Sequence, residues 1–205
     1  MADEPSEVRR LAVVDAACRA VPPPGVAAAA FAAAALADTY EVLAALEQVT
    51  SGIVGPPELE HLLWPDSVLY PSRGVRAVAE AATAFDALVV VAGDAPDLPQ
   101  LVVAKVFKAL VRADVCVAPE RGGPGVVALG VKLPWPSWLP DDLSLDQDPY
   151  PGLASRAPDR RLLVRGPDWH RLRTPPAVNR LDPGLEGWEE TRALLSGRAL
   201  AEGMR

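Results

Sequence analysis

Leu88-Val89-Val90-Val91-Ala92-Gly93-Asp94-Ala95-Pro96-Asp97-Leu98-Pro99 decides the fold of this chain. Five apolar residues run into a glycine and then into two carboxylates three residues apart. An unbroken apolar run of this length, rich in β-branched side chains, reads as a strand buried on both faces of a parallel sheet. In open α/β sheets, ligands bind just beyond the carboxyl ends of such strands. Asp94 and Asp97 therefore stand where a chain would hold a hard divalent cation, Mg²⁺ or Mn²⁺, over a nucleotide's phosphates. Asp97 has a second reading. Leu98, Pro99 and a helical pattern (Leu101, Val102, Val106, Leu110) follow it, which places it to cap that helix.

Outward from this stretch, strands and helices alternate. Strands are predicted over 11–14, 49–54, 68–70, 87–92, 115–118 and 125–131. Helices are predicted over 26–46, where alanine dominates, and over 58–63, 74–85, 98–112 and 185–196. Between 133 and 160 the periodicity dissolves into Pro, Trp and Asp, and half of the 22 prolines lie from Pro124 onward. The alternation implies one α/β domain over 1–205, with a mostly parallel mixed sheet flanked by helices, a flexible lead-in over 1–9 and an irregular segment over 133–160.

At 205 residues and half apolar, the chain can bury a full core. Its net charge of -7 argues against nucleic acid as a partner, because no basic surplus exists to replace counterions. A single nucleotide needs only a few local cations. The acidic start, Met1-Ala2-Asp3-Glu4, lacks a signal peptide's apolar centre, and the alanine-rich run over 26–37 is too short for a membrane span. The expected location is cytoplasmic. Cys18 and Cys116 form no metal or disulfide framework, and Cys116 reads as a core residue.

Several blocks, in order, resemble the small bacterial GT-A-type transferases, which include glycosyltransferases, and more distantly the guanylyltransferases for phospholactate and the molybdenum cofactor. They are Leu36-Ala37-Asp38-Thr39, Gly74-Val75-Arg76, Gly93-Asp94-Ala95-Pro96-Asp97-Leu98, Ala113 to Pro119, Gly122-Gly123 and Leu129-Gly130, with an echo at Arg180-Leu181-Asp182-Pro183. The resemblance implies a Rossmann-like GT-A fold and a metal-dependent transferase of glycosyl or nucleotidyl groups, with a nucleotide or nucleotide-sugar as ligand. Asp94 would be its metal-linked aspartate. Asp182 would be a second ligand, or else the N-terminal acid of the last helix. Gly122 and Gly123 would let the backbone approach the acceptor or sugar. Arg19, Gly25 and Arg76 fall on the nucleotide side, and Arg121 could add charge from across the cleft.

The chain departs from this family in its first loop, where a glycine is normally followed by a lysine and an arginine. Here Gly25 is followed by Val26-Ala27-Ala28-Ala29-Ala30-Phe31. Alanine side chains cannot neutralise phosphate. The acid expected before the glycine pair is likewise replaced, by Arg121. The alternative function is thus an inactive scaffold of the same fold, serving binding or assembly. For that reading Trp135 and Trp138 are the candidate partner contact, unless they roof the core. His61 and His170 have no nucleophile motif beside them, and Asp141, Asp142, Asp146 and Asp148 read as solvated acids of a Pro-rich loop.

Overall fold

The apolar run around Val89 forms β4 (Ala87–Ala92), a strand buried at every position. It lies in a seven-stranded sheet of order β3-β2-β1-β4-β6-β5-β7. The computed structural model describes residues 8–71 and 74–197. Its other strands are β1 (Arg10–Asp15), β2 (Thr50–Val54), β3 (Val68–Tyr70), β5 (Val115–Pro119), β6 (Val126–Lys132) and β7 (Leu163–Arg165). Only β6 runs antiparallel to its neighbours, pairing Val90 with Leu129 and Val117 with Leu129 on its two sides. The sheet is the mostly parallel, mixed one that the strand–helix alternation implies.

Alternate residues of the strands build two cores. On one face Ala12, Val14, Val89 and Val91 meet α1 (Ala28–Ala44) and α3 (Gln100–Leu110). On the other, Leu11, Val13, Leu88 and Val90 meet α2 (Val75–Ala81) and the irregular segment that follows β6. That segment contains one helical turn, α4 (Tyr150–Ala154), and carries Trp135 and Trp138 against the core. Trp138 Nε1 donates to Asp114 Oδ2 at 3.2 Å, so both tryptophans roof the sheet and stay half-buried. α1 packs on the sheet through Leu36, Tyr40 and Leu43.

Several predicted helices contract. The segment after β2 is a 3₁₀ helix over Pro57–Leu62, and α2 ends at Ala81 because Phe85 turns inward and Asp86 receives the Arg9 amide. The last helix, α5 (Glu189–Leu195), starts four residues later than the pattern over 185–196 implies. The lead-in over 1–9 lies outside the described residues except for Val8 and Arg9. Among the described residues, no helix is long and apolar enough to cross a membrane.

Candidate functional site

β1 and β4 are parallel neighbours whose connections leave in opposite directions along the sheet, β1 towards β2 and β4 towards β5 and β6. In open α/β sheets such a switch point, at the carboxyl ends of the two strands, is where ligands bind. Asp15 ends β1 there, and Gly93-Asp94 follows β4. Gly93 is required: a Cβ would stand 2.8 Å from the Asp15 carbonyl and 2.9 Å from Leu36 on α1. The fold thus brings Asp94 to the position that the resemblance gives to a metal-linked aspartate.

Its partner is an arginine. Arg171 Nε donates to Asp94 Oδ1 at 2.7 Å and Nη2 donates to Oδ2 at 3.1 Å. Both side chains are 1 % exposed. The remaining Arg171 nitrogen, Nη1, donates to the carbonyls of Leu145 at 2.8 Å and Val126 at 3.1 Å. Burial works against this guanidinium's charge, but the Asp94 carboxylate outweighs it and raises the pKa. Asp94 is therefore one half of a buried bidentate pair.

Arg171 arrives on an extended strap that crosses the carboxyl edge of the sheet. Leu172 N donates to the Asp94 carbonyl at 2.8 Å, and Val21 N donates to the Leu172 carbonyl at 2.7 Å. Trp169 Nε1 donates to Asp97 Oδ1 at 3.1 Å, while His170 Nε2 lies 3.0 Å from the same oxygen, off the line of a hydrogen bond. Asp97 Oδ2 accepts from the Asp182 backbone N–H at 3.2 Å. Two residues beyond Arg171, Arg173 donates to Glu120 Oε2 at 3.3 Å and to Asp146 Oδ1 at 3.2 Å.

The expected metal set does not assemble. Asp97 neither faces an open site nor caps α3, whose N-cap is Pro99; it ties the strap to the 182 turn. The Asp182 side chain accepts from Gly184 N at 2.8 Å, and the residue stands seven positions before α5, so it is neither a ligand beside Asp94 nor that helix's first acid. The described residues include no group of three or more His, Cys, Asp or Glu side chains arranged to hold a metal ion. A divalent ion at Asp94 would have to displace Arg171. These residues, as arranged, do not fit Mg²⁺ or Mn²⁺.

The other candidates separate. Arg19, in the loop after β1, is exposed and pairs with no acid among the described residues, and Gly25 (φ +89°) turns the same loop towards α1 with open space around it. Arg76 pairs with Glu80 and Asp141 and stays apart from Asp94. Gly122 (φ +76°) forms the β5–β6 turn, with the Arg180 guanidinium 3.5 Å from where its Cβ would lie. A Cβ on Gly123 would collide with the Glu120 carboxylate, so the clearance at this turn accommodates the chain's own buried glutamate. Glu120, one residue before Arg121, is buried and paired with Arg173, while Arg121 points outward to Asp168 and over Trp169. Asp141, Asp146 and Asp148 are spent on Arg76, Arg173 and Arg165 respectively.

This architecture, a mostly parallel mixed sheet flanked by helices, is a GT-A-type fold. It is similar to a solved structure from Desulfovibrio desulfuricans described as a candidate nucleotide-diphospho-sugar transferase, at 18 % identity, 93 % coverage of this chain, 95 % of that one and a TM-score of 0.62. A cytidylyltransferase from Leptospira borgpetersenii aligns more loosely, at 12 % identity, 82 % and 78 % coverage and a TM-score of 0.45. A 4-diphosphocytidyl-2C-methyl-D-erythritol synthase from Anaerococcus prevotii aligns at 10 % identity, 61 % and 71 % coverage and 0.44. At 18 % identity the likeness to the Desulfovibrio desulfuricans structure establishes the fold and leaves the chemistry to the residues. No protein-family model matches the sequence, and no curated protein matches it either.

Proposed function

We propose that this chain binds a nucleotide or nucleotide-sugar at the β1/β4 switch point and acts as a transferase of glycosyl or nucleotidyl groups. The observation that carries this reading is the uncapped N-terminus of α1, which follows the loop after β1. α1 has no side-chain cap and no acid in its first turn, so its first N–H groups are unobstructed, and Arg19 is exposed in the loop before it. A helix N-terminus presents donors and positive potential to phosphate. The alanines that replace the family's basic residues leave those backbone donors accessible. The fold supports the same location, because switch-point crevices are where open α/β sheets take ligands.

A second reading, a non-catalytic scaffold, is favoured by one observation. Asp94 and Asp97, the carboxylates of the Gly-Asp-Ala-Pro-Asp segment, are both committed to internal partners. Thermal-shift measurements against nucleoside triphosphates and nucleotide-sugars, in EDTA, separate the two. The transferase reading expects at least one ligand to raise the melting temperature and Arg19→Ala to weaken its affinity about tenfold, the worth of one charge-assisted contact. A flat panel at millimolar ligand establishes the scaffold reading instead.

A further inference from the structure

We propose that Arg171 is a built-in counter-ion: its guanidinium stands in the cation position at Asp94 and makes the switch point independent of divalent metal. This inference concerns the charge balance of the switch point and holds whether or not a nucleotide binds there.

The carboxyl edge of the sheet gathers acids from four segments: Asp15 at the end of β1, Asp94 after β4, Glu120 after β5, and Asp146 from the irregular segment. Without a cation among them, their mutual repulsion and desolvation would oppose folding. Two arginines, two positions apart on the strap, supply that cation. Arg171 takes both oxygens of Asp94 and approaches Asp146 Oδ1 to 4.0 Å; Arg173 takes Glu120 and the same Asp146 oxygen. Asp15 shows the balance. Burial holds its pKa above the usual carboxylate value, and the Ala17 amide and then the Arg171 charge offset only part of that rise.

The fit is specific to guanidinium. Of its five N–H donors, four are directed at acceptors: two at Asp94, one at Val126 O and one at Leu145 O. The planar fork matches a carboxylate bidentately, and guanidinium sheds water more readily than ammonium does. The two carbonyl contacts also bind the strap to β6 and to the irregular segment, so the same cation closes the edge mechanically. A metal ion could not make those last contacts as a donor.

The test uses the full chain and Mn²⁺ alone. In the wild type, thermal melts and Mn²⁺ electron paramagnetic resonance titration should show no specific binding. Arg171→Met leaves Asp94 unpaired, and Mn²⁺ should then raise its melting temperature by about 5 °C or more, or restore folding if the variant is unfolded without metal. Asp94→Asn/Arg171→Met removes both charges and should be folded and indifferent to Mn²⁺. Specific Mn²⁺ binding by the wild type that Asp94→Asn abolishes would overturn the proposal. So would an Arg171→Met protein that Mn²⁺ neither stabilises nor refolds, since the guanidinium would then hold no position that a metal can take.

Discussion

Asp94 carries the sharpest consequence for a single side chain, because its role decides what its removal costs. A carboxylate that serves only as a metal ligand can be truncated with little loss of stability. One that neutralises a fully buried guanidinium cannot. Asp94→Ala strands Arg171, which is 1 % exposed, with an unpaired charge among Val126, Leu145 and the strap. Breaking a buried pair from one side costs about 3–5 kcal/mol. Asp94→Ala/Arg171→Met removes both charges and should cost clearly less than the sum of the single losses, because the two residues couple directly. Urea unfolding of the four proteins measures this. Additive losses would mean that the pair contributes no coupling. The pairing was invisible in the sequence for a plain reason: the partners lie 77 residues apart, and no periodicity links a strand end to an extended strap.

Elements with strong periodicity were legible, and those defined by tertiary capping were not. β4 runs over the residues that its apolar content marks, because a strand buried on both faces announces itself as a continuous apolar run; β3, half-buried at the sheet edge, keeps its expected bounds as well. The last helix did not, since its start is set by a residue on another helix. Asp38, buried in α1, accepts the Glu190 N–H at 3.1 Å and the Thr191 N–H at 2.8 Å, serving as the N-terminal cap that α5 lacks locally. Asp38 lies in one of the blocks that resemble the GT-A family, where nothing in the sequence marks it as a cap; Asp182, the other candidate acid for this helix, sits seven residues before it. Burial pushes the Asp38 carboxyl up to about 6, against the pull of the Thr191 and Glu190 contacts. Between about pH 4 and 6 the folded chain therefore keeps a proton that the unfolded chain has released. Stability from this group is greatest below that window and declines as pH rises through it, by on the order of 3 kcal/mol. Asp38→Asn cannot titrate, so the stability of the wild type minus that of the variant should fall from pH 4 to pH 7. A difference that stays level or rises over that range would mean that Asp38 ionises in place at its ordinary pKa.

Across the whole molecule, the switch-point topology, the strap and the α1 loop form one closed edge, and the two cysteines report whether it opens. Cys116 lies on β5 in the α1/α3 core, and Cys18 lies buried in the loop after β1, against the opposite core. Burial pushes the Cys18 thiol up to about 12 and the Cys116 thiol up to about 11, so neither is a thiolate at pH 8 while the chain is folded. Reaction with a disulfide reagent then requires an opening that admits water and reagent. For Cys116 that opening is loss of the sheet. For Cys18 it could be a smaller event, lifting of the strap, were it not for the bonds that cross it. Val21 N holds the loop to Leu172, Leu172 N holds the strap to Asp94, and Arg171 bolts both to β6. Because lifting the strap means breaking the buried ion pair as well, Cys18 and Cys116 should label through the same global opening. Their rates should rise with urea along a common slope. Arg171→Met should uncouple them, with Cys18 reacting first and its rate nearly independent of urea, as expected of local opening. If Cys18 already reacts first in the wild type, the edge breathes without unfolding, and a ligand could enter beneath the strap rather than only beside Arg19.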